Sequence, residues 1–426
     1  MKAGMAECDI TPELGVFQGG YGFRNHGAEA IRDPLAVVVG VFEEGKRRVL
    51  LASFDLVYVD DALIRKAKRA LSRKFRIAPS HMIFHATHTH SAPEVRPTSK
   101  KHWNKKNEAY VKGLLPALES ATASAIERMK ACSVFYLENQ CDFNVYRRRF
   151  VNGSMTMSPN DEVPVDKRVR GLLFTTRNGR RLGVVYTYNC HMNVCGDYEI
   201  SADFAGFART ALWRDLNCPS LYLQGCCGDV RPRMVNEKGT GFRRGTTKDC
   251  HDCGEDLAAA VLRGIEKKQR VSPVLRSAGT RIRLPLKPAP SPQRLRVIVK
   301  AKTSEASWAK NLLKQLRAGK KPIRQQPYDL HALRLGKDVV LLFLQGEVVS
   351  EYATLLEKYY PGINLWCHGY THAPLNYIPT THILAQGGYE AGSYRYSRLP
   401  LSGPYDAGIE KDIFAATHKL MASVTR

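Results

Sequence analysis

No apolar stretch of this 426-residue chain approaches the ~20 residues a membrane-spanning helix needs, and no apolar run follows Lys2 in the opening MKAGMAECDITPELG. Both absences lead us to expect a mature chain that starts at or near Met1, without a leader or a span, in the cytoplasm. A disulfide rhythm is missing as well. The eleven cysteines are odd in number and scattered, several in apolar settings such as CSVFYL and LNCPSLYLQGCC, so reduced thiols are expected. Acid is scarce: 40 Asp and Glu stand against 64 Lys and Arg, a formal charge of +24. Such an excess suits nucleic acid, an anionic membrane, an acidic substrate, or only a solvated exterior. The basic runs SKKHWNKK, RRRF, FRRG and AGKKPIR are dispersed, and none alternates with aromatics as a base-stacking platform would. A solvated basic surface is the favoured reading, with nucleic acid set aside. No internal repeat is found.

What is present is core material, 44% hydrophobic residues, ample for a large interior. LAVVVGVF and RRVLLASFDLVYV read as strands around a turn at EEGK, followed by an Asp-led helix, DDALIRKAKRALSRKF, and the strand HMIFHATHTHS. A helix over NEAYVKGLLPALESATASAIERMKA comes next, then a hairpin centred on Asn178-Gly179. Further on lie helices around FAGFARTALWRDL and GEDLAAAVLRGIEKK, with the short strand SLYLQG between them. Strand and helix periods alternating in this way predict an α/β fold of mixed sheets flanked by helices. From about Leu286 to Gln326 proline and charge bracket a helical stretch, a texture expected of a peripheral insertion or linker. The buried strand DVVLLFLQGE then resumes the pattern.

One ten-residue segment, FHATHTHSAP, carries His85, His88 and His90. Residues two apart in a strand share a face, so His88 and His90 would stand side by side at the strand's end. Such a pair is as often a hydrogen-bonded structural pair as a metal site. Other ligand types at strand ends shift the balance: His191 in VVYTYNCHMN, and Glu347 directly after a strand with no internal charge. A carboxylate there is costly to bury unless a cation awaits it, and three N and O ligands with an open position are what catalytic zinc takes.

The ordered segments AECDITPELG, GGYG, RDPL, ATHTHSAP, NCHMNVCG, SADFAGFA, QGCCGDVRP, LQGE and NYIPT with GGYEA resemble the catalytic domain of the neutral/alkaline ceramidase family, from about Ala6 to Glu390. The resemblance implies one zinc ion held by His88, His191, Glu347 and Tyr377, with Pro374 at the first of two positions where the family has tyrosine. It also implies that His90 and one of Arg147, Arg148 and Arg149, with Arg148 the central choice, act on the scissile amide. Two features depart from the family. Arg231, in CGDVRP, replaces a serine, and the chain has no room after the catalytic domain for the family's β-sandwich.

The expected protein is therefore one ceramidase-like domain over residues 1–426, a zinc-dependent amidohydrolase. It would cleave an N-acyl or peptide-like amide by attack of zinc-bound hydroxide, with ceramide itself set aside. The alternatives are an esterase or phosphodiesterase on the same scaffold, or a non-catalytic basic binding protein. Arg231 suits a substrate carboxylate or phosphate; the competing reading turns it outward or pairs it with Asp229 or Glu255. Asp55 and Asp203 are expected to hydrogen-bond the ligand histidines. Cys250-His251-Asp252-Cys253 lacks a second ligand pair, directly precedes the helix GEDLAAAVL and reads as the entry to it. Packing is the expected role of Cys226 and Cys227, and structural roles suit His81 and His85.

Overall fold

The computed structural model describes residues 1–97, 102–373, 375–397 and 399–425. Two large sheets lie face to face, and helices cover both outer sides. The chain opens with strands β1 (Lys2–Asp9), β2 (Ala36–Glu44) and β3 (Arg47–Phe54), helix α1 (Asp61–Phe75), strand β4 (Met82–Ala86) and helix α2 (Lys105–Glu127). The middle of the chain supplies β5 (Ser133–Gln140), β6 (Asn144–Val151), β7 (Ser154–Asn160), β8 (Arg168–Thr175), β9 (Arg181–Tyr188), α3 (Asp203–Leu216), β10 (Ser220–Gln224), β11 (Val230–Pro232), α4 (Thr247–Glu266) and β12 (Gln269–Val271). The last third adds β13 (Arg276–Pro285), α5 (Pro292–Lys300), α6 (Ala306–Arg317), β14 (Gln325–Gly336), β15 (Val339–Gln345), β16 (Glu347–Val348), α7 (Glu351–Lys358), β17 (Asn364–Thr371), β18 (Tyr377–Ile378) and a C-terminal helix, Ile409–Thr425.

The larger sheet runs β13-β14-β15-β17-β4-β3-β2-β1, with Lys130–Ala131 at its far edge. The smaller runs β10-β9-β8-β5-β12. Both are mixed: β3 with β4, β15 with β17, and β9 with β10 are parallel, and the other named pairs antiparallel. Strands apolar on both faces explain the layering. Within β2, Val37, Val39 and Val41 join the core under α1 and α2, whereas Val38 and Phe42 point into the core between the sheets. That inner core mixes Leu51, Ile83 and Phe343 of one sheet with Leu172, Phe174 and Leu221 of the other. Each such side chain contributes about 1.5–3 kcal/mol on burial.

The segment 286–326 folds as α5 and α6, whose Leu295, Trp308 and Leu312 enter the same core as β14, β15 and the C-terminal helix. Trp308 Nε1 donates to the Leu401 carbonyl at 2.9 Å. The Cys250 to Cys253 run does not precede its helix, as expected, but lies inside α4. The helix begins earlier because Thr246 and Asp249 form a capping box, which satisfies the first free N–H groups. All eleven cysteines are free. No described helix is long and apolar enough to cross a membrane.

Candidate metal centre

The loops that leave β4, β9, β15 and β17 meet at one end of the sandwich. β4 stops at Ala86, and His88 takes a left-handed φ of 67°. His88 and His90 therefore do not share the face of a strand. They converge because the chain turns at His88, held by Thr87 N and His88 N donating to the Phe54 and Leu56 carbonyls, each at 2.9 Å. His191 follows β9 and donates its backbone N–H to the Val230 carbonyl at 3.2 Å. Glu347 follows Gly346, whose φ is 88° and where a Cβ would meet the Asn376 carbonyl oxygen at 2.9 Å; only glycine fits without strain. β16 then pairs with β18 so that Glu347 stands opposite Tyr377.

The atoms within this frame point at one another. His88 Nδ1 lies 2.7 Å from the Val57 carbonyl oxygen and His191 Nδ1 3.4 Å from that of Cys227. A carbonyl only accepts, so these contacts place the protons on Nδ1 and free the Nε2 lone pairs. His90 Nε2 sits 3.2 Å from His88 Nε2 and 3.1 Å from His191 Nε2. Glu347 Oε2 is 3.3 Å from His88 Nε2 and 3.9 Å from His191 Nε2. Neither Glu347 Oε2 nor His90 Nδ1 has a hydrogen-bond partner, although both are buried.

Burial, then the neighbouring His88, holds His90 and His191 well below the usual imidazole range. Burial alone would raise Glu347, but His88 beside it and the Tyr377 hydroxyl keep it low. The Nε2 lone pairs of His88 and His191 and the Glu347 carboxylate face one another across 3.3 to 3.9 Å, an arrangement that a shared cation would satisfy. That donor set fits zinc and related divalent ions. The three histidines can hold a metal, their ring nitrogens lying within 4.8 Å of one another, and they form the one such group among the described residues.

The arginines divide unevenly. Arg147 donates to Glu390 at 3.0 Å and lies 5.3 Å from the Tyr377 ring, and its charge acts on His90, His191 and Glu347. Arg148 is bound to Glu390, to Gln386 Oε1 at 3.1 Å and to the Gly387 carbonyl at 2.9 Å. Its fork is engaged on the side of the Glu390 turn, so Arg147, rather than the expected Arg148, lies beside the histidines and Glu347. Arg149 is exposed. Arg231 stacks on Phe242 at 4.1 Å and pairs with neither expected carboxylate. Asp229 accepts from Ser350 N at 2.7 Å, and Glu255 from Arg214 at 3.2 Å.

Asp55 and Asp203 do not support the histidines. Asp55 accepts from Ala36 N and Arg209, and Asp203 from Val194 N and Phe204 N; backbone carbonyls orient the imidazoles instead. His85 is structural, its Nε2 accepting from Gln224 N at 2.8 Å. Pro374 lies outside the described residues.

A cavity of about 220 Å³ opens on His88, Glu347 and Tyr377. Sequence reasoning missed most of its wall: Tyr58, Arg96, Tyr370, His372, Tyr389 and Tyr396. The Tyr370 hydroxyl lies 3.4 Å from His191 Nδ1, and its ring 4.2 Å from that of His88. The one signal for it was the CHGYTH segment, a Gly-broken strand end rich in hydrogen-bonding groups.

No family model and no curated protein matches this chain. Solved structures do. The neutral ceramidase of Pseudomonas aeruginosa superposes with a TM-score of 0.74 at 18% identity, over 100% of this chain and 74% of that one. A structure described as ceramidase complexed with C2 gives 0.75 at 17% identity, with the same coverage. The chain thus has a neutral ceramidase-like fold, carried by structure at low sequence identity.

Proposed function

We propose that this protein is a zinc-dependent hydrolase of linear amide bonds, acting on a small N-acyl or peptide-like compound rather than on ceramide. The convergence of three imidazole Nε2 atoms and Glu347 Oε2 on one point, at the wall of a cavity, carries the reading. His88, His191 and Glu347 are the ligands, and Tyr377 completes the set from beside Glu347. Bound there, zinc supplies Lewis acidity toward a carbonyl and lowers the pKa of water.

The chain's own groups do the rest. His90, held neutral by burial, accepts a proton at Nε2 and returns it to the departing amine. Arg147 is clamped by Glu390 and has an Nη2 without a partner. Its charge lies where an oxyanion develops and needs no reorganisation to act. Arg231 contacts the substrate beyond His90. A cavity of about 220 Å³ falls below the ~300–1,000 Å³ of drug-sized pockets, which favours a short acyl or amine portion over two long chains.

Elemental analysis of the purified protein tests this. About one zinc per chain is expected, with His88→Ala and His191→Ala each losing it; full retention in both variants removes the ligand assignment. Metal-free wild-type protein would favour a non-catalytic binding protein. Turnover confined to esters or phosphodiesters in a matched panel with amides would move the chemistry to those bonds.

A further inference from the structure

A second group of side chains adjoins His90. The Tyr21 ring packs 4.8 Å from the His90 ring, and the Arg24 guanidinium lies 5.0 Å from Tyr21. Arg231 lies over Phe242 at 4.1 Å and Arg244 over Phe23 at 5.2 Å. All three guanidinium charges act on the Tyr21 hydroxyl. None of the three has a carboxylate within 4.0 Å among the described residues.

Arg24 is 1% exposed. Its Nε donates to the Asp197 carbonyl at 2.9 Å and its Nη1 to the Gly19 and His90 carbonyls at 2.7 Å, but its Nη2 has no partner. The Nε of Arg231 is buried and equally unpaired. Burial lowers both groups to about 10, so both stay charged at neutral pH. A guanidinium that keeps a buried donor unpaired is costly unless something anionic arrives to accept from it. The group is reachable: Phe23 and Arg244 are exposed, and Tyr21, Arg231 and Phe242 are half-buried. Exposed Gly20 joins it to the cavity, lining that cavity while lying so close to His90 that a Cβ would meet its ring at 2.7 Å.

We infer that Arg231, with Arg24 and Tyr21 behind it, is an oxyanion subsite. On this view, which rests on the amidohydrolase reading, the substrate is an amide that bears a carboxylate or phosphoryl group on the His90 side of the scissile bond. The stacked, planar fork of Arg231 grips two oxygens at once, and the aromatic rings shield the pair from water.

Calorimetry on the full-length protein, with N-acetylglycine and neutral N-acetylglycinamide as probes, tests this without requiring turnover. Wild type should bind the anionic probe at least about tenfold more tightly. Arg231→Gln should abolish that preference while leaving the neutral probe's affinity and the metal content unchanged, and Arg231→Lys should restore part of it. Equal binding of the two probes by wild type, or a preference that survives Arg231→Gln, overturns the inference. Competition separates the two anions: stronger displacement by inorganic phosphate than by acetate assigns a phosphoryl group, the reverse a carboxylate, and displacement by neither overturns the subsite. A protein that shows the preference but cleaves no amide loses the hydrolase reading alone. A hydrolase indifferent to charge loses only the subsite.

Discussion

Arg147 and Arg148 are neighbours in β6 with separate tasks. Both meet Glu390, a carboxylate 2% exposed, yet only Arg147 lies against Tyr377. Arg147→Gln should depress turnover with metal retained. Arg148→Gln should chiefly lower unfolding stability, by about 3 kcal/mol, because half of a buried ionic network loses its partner. Urea denaturation beside steady-state assays of both variants decides it; lost turnover in Arg148→Gln with unchanged stability would return Arg148 to the reacting centre. The choice between the two was not legible in RRRF. In a strand, adjacent residues face opposite ways, and the register of β6 against β7 shifts between Tyr146 and Arg148. The histidines and Glu347 were legible because an imidazole or carboxylate at an apolar strand end needs a chemical reason to be there.

Among the elements, α4 shows where pattern reading stops short. Its apolar period is clear from Leu257 onward, and that period alone places the helix start after Cys253. The first turns are set instead by the Thr246 and Asp249 capping box, and the period continues there through buried Cys250 and Cys253, with His251 and Asp252 exposed. Cys250→Ser combined with Cys253→Ser should leave metal content unchanged, whereas Thr246→Ala should cost about 1 kcal/mol. Elemental analysis and thermal melts report the two effects, and metal lost from the double variant would reveal a second site. The left-handed residue after β4 was equally hidden. THTH reads as period two, and only contacts to the distant Phe54 and Leu56 carbonyls impose the turn.

At the scale of the whole molecule, the layers were legible because strands apolar on both faces must be covered on both. Which strands pair across more than two hundred residues was not, since that depends on non-local contacts. Those contacts enclose several histidines besides the candidate ligands. His331, 4% exposed in β14, is held well below the usual range by burial, then by His372, Lys68 and His81. Burial likewise brings His85 to about 3 and His372 to about 4. Their folded values lie below the unfolded ~6.5, so the unfolded chain binds more protons as pH falls. Stability is full above ~6.5 and declines as pH drops toward the folded values. Urea midpoints should fall between pH 7 and pH 5, and less steeply for His331→Gln; parallel slopes would show that His331 does not contribute. The chain order of the central cluster, His88, then His191, then Glu347, has one further effect. As the polypeptide emerges from the ribosome, β4 and β9, the strands that lead into the imidazoles, are made long before the carboxylate. On the proposed ligand set, full-strength capture of a cation would wait until β15 has been made and β16 docks beside β18, which would make ion uptake a late event in biosynthesis.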